Sequence, residues 1–166
     1  MKKEANKETT NDTAAGNSTT PDYWQEACKH LVKKDRVMKR LIPQFPDTTL
    51  QTRGDAFSTL ARSIVGQQIS VKAAQTVWHR FDGLVKTMNP RAVLKLKVDD
   101  MRAAGLSARK IEYLVDLSIH FDAGTVHVKD WQLMDDEAII AELVAIRGIG
   151  RWTAEMFLMF YLHGAR

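Results

Sequence analysis

A short stretch near the end of the chain has the residue types and spacing to bind a phosphate. Gly148 and Gly150 lie between an amphipathic run that ends at Ala145 and another that begins at Arg151. Glycine adopts positive φ without a Cβ penalty, so this pair permits a tight turn and close approach of another molecule. The helix that follows points unpaired amides and its positive dipole end out of the turn, where an anion binds. Arg151 adds charge and Thr153 adds a hydroxyl.

Two amphipathic runs flank the turn and predict that it joins two helices. The first extends from Asp136 to Ala145, and the second from Arg151 to Leu162. The plainer alternative is a pair of core helices whose glycines serve only packing. The apolar residues before the turn and between its glycines make the pattern more specific than two glycines alone; they are Leu143, Val144, Ile146 and Ile149.

Helical periodicity also governs the rest of the chain, and no pair of strands is convincing, so the predicted class is all-α. The aromatic residues Phe157, Phe160 and Tyr161 are predicted to lie in the core. The other predicted helices are a pattern from Pro21 onward, Asp55 to Val65, Val71 to Phe81 after the cap Ser70, Pro90 to Leu96 after the cap Asn89, Asp99 to Ala104, and Ala108 to Phe121 after the cap Ser107.

Length and composition predict one soluble domain behind a polar tail. Residues 1–20 are poor in large apolar groups and are predicted to be a disordered tail, and residues 21–166 are predicted to form the domain. No apolar run reaches the roughly 18 residues that a membrane span needs, and the N-terminus does not resemble a secretory signal. The single cysteine, Cys28, excludes a disulfide framework and a four-cysteine iron–sulfur cluster. A cytoplasmic location is expected.

The net charge of +4 arises from the folded part of the chain, because charges in the tail cancel. Between residues 29 and 40, six cations oppose only Asp35. A basic surface suits nucleic acid, but a solvated helix face explains the same run about as well. The six are Lys29, Lys33, Lys34, Arg36, Lys39 and Arg40.

Three segments together resemble one family of DNA-repair enzymes. They are residues 61–74 (ARSIVGQQISVKAA), 105–114 (GLSARKIEYL) and 147–154 (RGIGRWTA), in the expected order. They resemble the helix–hairpin–helix DNA glycosylase superfamily, specifically the compact 3-methyladenine DNA glycosylase II type. The resemblance covers residues 21–162 and implies the helix–hairpin–helix glycosylase fold, incomplete at its C-terminal end.

The resemblance implies base-excision repair. A protein of this type binds double-stranded DNA, bends it and flips the damaged nucleotide out of the stack. It then hydrolyses the N-glycosidic bond of an alkylated purine such as 3-methyladenine or 7-methylguanine. The implied partner is alkylated duplex DNA in the nucleoid, with no membrane, and we expect a monomer.

Site residues follow from the matching positions. The hairpin residues Gly148, Ile149, Gly150, Arg151 and Thr153 would bind a DNA phosphate. Backbone carbonyls of Val144, Ile146 and Ile149 would hold a monovalent cation, Na⁺ or K⁺. Gln68 would be the wedge that fills the gap left by the flipped base, with an ordinary polar loop residue as its alternative. Ser70, first of all a helix cap, and Lys72 would contact the DNA backbone.

Trp152 carries a further implication. Relatives that also cleave the DNA strand have a nucleophilic lysine at this position, and tryptophan cannot form a Schiff base, so a monofunctional enzyme is implied. The predicted base pocket consists of Trp152, Met156 and Trp24, because an indole face attracts a cationic base. Core packing is the alternative for both tryptophans.

The family's catalytic aspartate has no counterpart in this sequence and is expected beyond Arg166. This keeps a second hypothesis open, a glycosylase-like protein that binds damaged DNA without cleaving it, or an inactive fragment. A third hypothesis is a relative that acts on oxidised bases or mismatched adenine. The tryptophan at 152 and the lack of a cysteine cluster count against the commonest members of that group.

Overall fold

The protein, whose coordinates are a computed structural model, is described at residues 20–21, 23–49 and 55–162. Over these ranges it is helical and contains no strand, which confirms the predicted all-α class. The predicted tail lies outside the described residues, apart from Thr20. The α-helices of the described ranges are α1 (Trp24–Lys34), α2 (Met38–Leu41), α3 (Ala56–Gly66), α4 (Val71–Asp82), α5 (Pro90–Leu94), α6 (Val98–Ala103), α7 (Ala108–Asp122), α8 (Asp136–Val144) and α9 (Arg151–Phe157).

Helix α3 is central to the core because its apolar residues recur on one face. Phe57, Leu60 and Ile64 are buried, as predicted. The helix packs against α4, α7 and α9, and Phe57 meets Phe121 of α7 edge to face, with ring centroids 5.4 Å apart. Each such buried side chain contributes about 1.5–3 kcal/mol. This packing fixes the end of α3, at Gly66, beside the candidate site.

Side-chain caps fix where several helices begin. Ser70 and Ser107 each accept a hydrogen bond from the amide three positions later, at 3.3 Å. Asn89 does the same at 2.9 Å, and Asp135 at 2.8 Å. A cap of this kind contributes about 1 kcal/mol. The predicted caps Ser70, Asn89 and Ser107 are confirmed, and Asp135 caps α8, whose first residue is Asp136.

The connector between α7 and α8 is anchored on α8 by one carboxylate. Glu142 accepts hydrogen bonds from the Trp131 indole at 3.0 Å, the His127 amide at 3.2 Å and the His127 ring at 2.5 Å. Burial raises the pKa of Glu142, but these hydrogen bonds outweigh burial and lower the pKa overall. The bond to Glu142 raises the pKa of His127. Trp131 is fully buried and packs edge to face on Phe157.

The last described turns widen into a π-helix over Leu158–Leu162. Tyr161 stacks on Phe157 with ring centroids 4.6 Å apart, whereas Phe160 is 51% exposed. The prediction that Phe160 lies in the core is therefore wrong. In a π-helix each amide donates to the carbonyl five residues earlier, instead of four as in an α-helix. Side chains here therefore do not stay on the buried face that α-helical spacing predicts.

Helices α1 and α2 pack chiefly on each other and on a 3-10 turn, Ile42–Gln44. Neither helix contains a fully buried residue. Trp24 of α1, with Leu41 and Phe45, lines an apolar cleft of about 280 Å³ between these elements. None of the described helices combines the length and apolar character needed to traverse a bilayer.

Candidate nucleic-acid interface

Residues 146–150, here called the hairpin, join α8 to α9. Ile146 and Ile149 are buried and anchor the turn in the core, and the Ile149 amide donates to the Ile146 carbonyl at 3.1 Å. Gly150 is the N-cap of α9, and its carbonyl accepts the Ala154 amide at 3.0 Å. The predicted helix–turn–helix is therefore present, with its apolar side inward.

Gly148 meets two independent requirements that only glycine satisfies. Its φ is +85°, in the left-handed region that L side chains rarely adopt. An added Cβ would also collide with the ring of Tyr113 on α7, with Cε2 at 2.7 Å and two ring carbons closer still. The Tyr113 ring therefore packs directly against the backbone of the hairpin at Gly148.

The sequence predicted two roles for Gly150, to permit the tight turn and to leave space for another molecule. Its φ of −92° suits any residue, so the prediction that it needs positive φ for the turn is wrong. The chain is already reversed at Gly148, and Gly150 only begins α9. A Cβ here would meet no atom within 4 Å, so this glycine keeps open space at the helix tip. The amides of residues 151–153 precede the first intrahelical bond and are free to bind an anion.

The loop between α3 and α4, residues 67–70, lies against the hairpin. Gln67 donates from Nε2 to the carbonyl oxygen of Gly148 at 2.8 Å, across 81 positions of sequence. Gln68 is exposed, and its φ of +59° is the only positive value at a non-glycine residue in the described ranges. Such backbone strain concentrates at functional sites. The strained residue is the predicted wedge.

Helix α7, which begins within the second of the three motifs, residues 105–114, completes the arrangement. Lys110 donates from Nζ to the carbonyl oxygen of Val65 at 2.7 Å, at the end of α3, and burial lowers the pKa of Lys110. The loop, α7 and the hairpin enclose a polar cleft of about 180 Å³. Its lining residues are Gln67, Gln68, Ser107, Arg109, Lys110, Tyr113 and Gly148.

The sequence predicted that Arg151 adds positive charge at the hairpin, and in the structure this charge is paired with two carboxylates. Its guanidinium is paired with Glu137 of α8, with Nη1 3.0 Å from Oε2, and with Glu155 of α9, with Nε 2.8 Å from Oε1. These bonds raise the pKa of Arg151 and lower that of Glu137. Because both pairs are exposed, they are weak. A phosphate at the hairpin must compete with these carboxylates for the guanidinium.

The three motifs that meet at this cleft also match one family model together. The model of the HhH-GPD superfamily base excision DNA repair protein matches residues 61–155, from α3 to α9. This is more than half of the chain. The chain belongs to the HhH-GPD superfamily.

Individual HhH-GPD proteins show the same relationship. The chain is 31% identical to DNA-3-methyladenine glycosylase 1 of Schizosaccharomyces pombe over 81% of its length and 62% of the relative. It is 31% identical to DNA-3-methyladenine glycosylase of Saccharomyces cerevisiae over 80% of its length and 51% of the relative. The chain therefore spans only about half to three fifths of these curated relatives.

Two solved HhH-GPD structures have a similar fold. DNA-3-methyladenine glycosidase of Bacillus halodurans superposes with a TM-score of 0.69 at 32% identity, over 87% of this chain and 67% of that one. The 3-methyladenine DNA glycosylase of S. pombe was solved in complex with abasic DNA. It superposes with a TM-score of 0.69 at 30% identity, over 82% of this chain and 70% of that one.

The three predicted base-pocket residues do not form a single group in the structure. Trp152 is 71% exposed in the first turn of α9, so the alternative that it packs in the core is wrong. Met156 is half-buried one turn later. Trp24 lines the apolar cleft of α1 and α2, whose lining includes neither of the other two. The structure therefore does not bring Trp24 together with Trp152.

The remaining predicted DNA contacts lie near the loop and the hairpin. Ser70 is exposed at the start of α4, but its hydroxyl oxygen accepts the capping bond. Lys72, two residues further along the chain, is exposed. Thr153 is half-buried in the first turn of α9.

The predicted monovalent-cation site consists of carbonyl oxygens around the end of α8. Val144 is the last residue of that helix, where carbonyls lack intrahelical partners, and Ile146 and Ile149 follow within the hairpin. Hard cations prefer oxygen ligands, so the donor type fits. In the described ranges, no group of three or more His, Cys, Asp or Glu side chains could hold a metal.

Proposed function

We propose that this chain is the DNA-binding core of a base-excision glycosylase that removes alkylated purines, of the 3-methyladenine and 7-methylguanine type, from double-stranded DNA. The observation that carries the proposal is the outward-facing tip of α9, held at a hairpin that Tyr113 and Gln67 fix next to the strained Gln68. The names of the relatives agree, and one solved relative is in complex with abasic DNA.

In this proposal the hairpin binds one phosphate of the duplex. The amides of residues 151–153 donate to its oxygens, Thr153 adds a hydroxyl, and the open space at Gly150 admits the backbone. Helix N-termini bind phosphate in this way in many proteins. A monovalent cation on the carbonyls of Val144, Ile146 and Ile149 would add positive charge against the same phosphate.

The loop supplies the second part of the interface. Gln68, exposed and already held at positive φ, enters the stack where the damaged nucleotide has left it. Extruding a base costs a few kcal/mol, and a pre-formed wedge lowers the cost of ordering the loop at that moment. Ser70 and Lys72, at the start of α4, contact the neighbouring backbone.

Trp152 would receive the flipped base. Its exposed indole offers a π face, which attracts a purine that carries positive charge after alkylation. The reaction breaks the bond between the base nitrogen and the sugar C1′, and water supplies the new oxygen at C1′. The developing positive charge on the sugar needs a nearby carboxylate, which would be the catalytic aspartate that the resemblance implies. No Schiff base forms at Trp152, so the DNA strand remains intact.

Two measurements test the proposal. The first is affinity for a duplex with a single abasic-site analogue, which we expect to exceed affinity for the same duplex without it. The second is release of 3-methyladenine from methylated duplex DNA, measured with this chain and with the complete reading frame of its gene. Failure of both forms to release a base would contradict the enzymatic activity. Equal affinity for the two duplexes would contradict damage recognition.

A further inference from the structure

The basic run on α1 and α2 has no part in the interface just described. Glu26 of α1 and Asp35 between the helices are the acidic residues of this region. The cations of the run are all exposed; they are Lys29, Lys33, Lys34, Arg36, Lys39 and Arg40.

Internal ion pairs do not neutralise these cations within the described ranges. Asp35 directs Oδ1 to the amides of Val37 and Met38, at 2.7 and 2.8 Å, and thereby caps α2. The salt bridges of the described residues all lie elsewhere, on Arg91, His120, His127, Arg147 and Arg151. The positive charge of α1 and α2 is therefore available to a ligand.

Three of the cations line a concave surface, here called the basic depression. Arg36, Lys39 and Arg40 enclose a space of about 350 Å³. Arg36 lies in the turn before α2, and Lys39 and Arg40 lie in α2, so three like charges that repel one another border the same space. Such a cluster costs stability in the free protein, and an anion in the depression would relieve the repulsion.

We propose that the basic depression is a second, sequence-independent contact with the phosphates of double-stranded DNA, separate from the hairpin; this rests on the proposed function. The remaining cations continue the positive surface along α1, which at about 1.5 Å per residue suits a line of phosphates better than a single small anion. Duplex DNA presents one negative charge per about 1.7 Å of its axis.

A membrane surface fits these features less well. Helices that lie in a bilayer interface insert Trp, Phe or Leu on the side opposite their cations. Here Trp24, Leu41 and Phe45 line one cleft; Leu41 and Phe45 are 43% and 56% exposed, but they do not border the basic depression. The side chains around the depression itself are all cationic.

The test is the salt dependence of binding to an undamaged duplex. The variant Arg36→Gln/Lys39→Gln/Arg40→Gln is compared with a matched control, Lys95→Gln/Lys97→Gln/Arg102→Gln, which removes the same charge from exposed positions on and beside α5 and α6. The slope of log K against log salt is negative, and each lost phosphate contact reduces its magnitude by about 0.9. We expect a decrease of about 2–3 for the depression variant and little change for the control.

The outcomes separate this inference from the proposed function. Equal slopes for wild type, depression variant and control would overturn the inference, while damage-dependent binding by the hairpin would leave the proposed function intact. A wild-type protein that does not bind duplex DNA would overturn both. Loss of binding by the depression variant to phosphatidylserine vesicles, with an unchanged DNA slope, would reassign the surface to membranes. Circular dichroism checks that both triple variants are folded.

Discussion

The hairpin and the basic depression present positive charge in different ways. At the hairpin, Arg147 is paired with Glu112, and Arg151, the first residue of α9, is paired with Glu137 and Glu155. What remains free there is the backbone at the tip of α9. At the depression, three side chains carry net charge without ion-pair partners in the described ranges. The first surface depends on backbone geometry and the second on charge.

This difference determines how each surface responds to change. Backbone amides in a fixed turn are sensitive to small steric changes and to loss of their supports, but carry little net charge. Side-chain cations on exposed helices tolerate conservative substitution, but their contribution decreases steeply with salt. Substitutions at the hairpin should therefore change the stability of the protein and its preference for damaged DNA. Substitutions at the depression should change the salt dependence of DNA binding.

The largest effect is expected for Gly148→Ala. The new Cβ meets the Tyr113 ring and the residue must keep a φ of +85°, so we expect a loss of about 2–5 kcal/mol in the free energy of unfolding. Binding to the abasic-site duplex should decrease with it. Urea denaturation and fluorescence anisotropy measure the two effects.

Gly150→Ala is the matched control for that substitution. Its φ suits alanine and its Cβ would face open space, so stability should remain within about 0.5 kcal/mol of wild type. Affinity for the duplex should still decrease, because the methyl group occupies the space of the approaching phosphate. Similar destabilisation by both substitutions would contradict the distinction drawn between the two glycines.

A smaller effect is expected for Gln67→Ala, which removes the hydrogen bond to the Gly148 carbonyl. The loss should be about 1 kcal/mol in stability. Because Gln67 only positions the hairpin relative to the wedge, preference for the abasic-site duplex should decrease more than affinity for undamaged DNA. An equal decrease for both duplexes would indicate a merely structural role. Gln44→Ala, which removes an exposed hydrogen bond to the Arg40 carbonyl, is the control.

Arg151→Gln should have a still smaller effect on DNA binding. Its carboxylate partners already offset the charge, so we expect less than about a threefold loss of affinity and a salt slope within about 0.5 of wild type. Arg36→Gln, in the depression, should lower the slope by about 0.9. A change of about 1 in the salt slope for Arg151→Gln, with no change for Arg36→Gln, would contradict the distinction between the hairpin and the basic depression.

The smallest effect concerns the support of α8 by His127 and Glu142. The pKa of His127 is raised, so its contribution is complete below its unfolded pKa and disappears as pH rises through the folded value. The pKa of Glu142 is lowered, so its contribution disappears as pH falls through that lower value. The pair should therefore stabilise most between the two transitions. The Tm advantage of wild type over His127→Gln should shrink from mildly acidic to alkaline pH, and a constant difference would contradict this.

The sequence predicted the fold where the relevant interactions are local. Amphipathic spacing identified α3 and its buried face, and the caps Ser70, Asn89 and Ser107 set helix starts to within a residue or two. These features depend on neighbours within one turn of helix, which the sequence displays directly. The prediction that Phe160 is buried failed because the π-helix changes which side chains share a face, and no residue pattern in the sequence indicates a π-helix.

The sequence predicted the residues of the site but not the contacts that hold them in position. The bond from Gln67 to Gly148 and the contact of Tyr113 with Gly148 join segments that are distant in sequence, so no local pattern reveals them. The pairing of Arg151 depends on the angle at which α8 meets α9. Two glycines in one turn also look alike in sequence, although only Gly148 has positive φ.

We propose that the tip of α9 binds a phosphate of duplex DNA. The most direct test is a titration of ¹⁵N-labelled protein with an abasic-site duplex, followed by amide chemical shifts. We expect the largest shifts at the amides of residues 150–153, with smaller shifts at residues 67–70. Binding with no shift at residues 150–153 would contradict the claim.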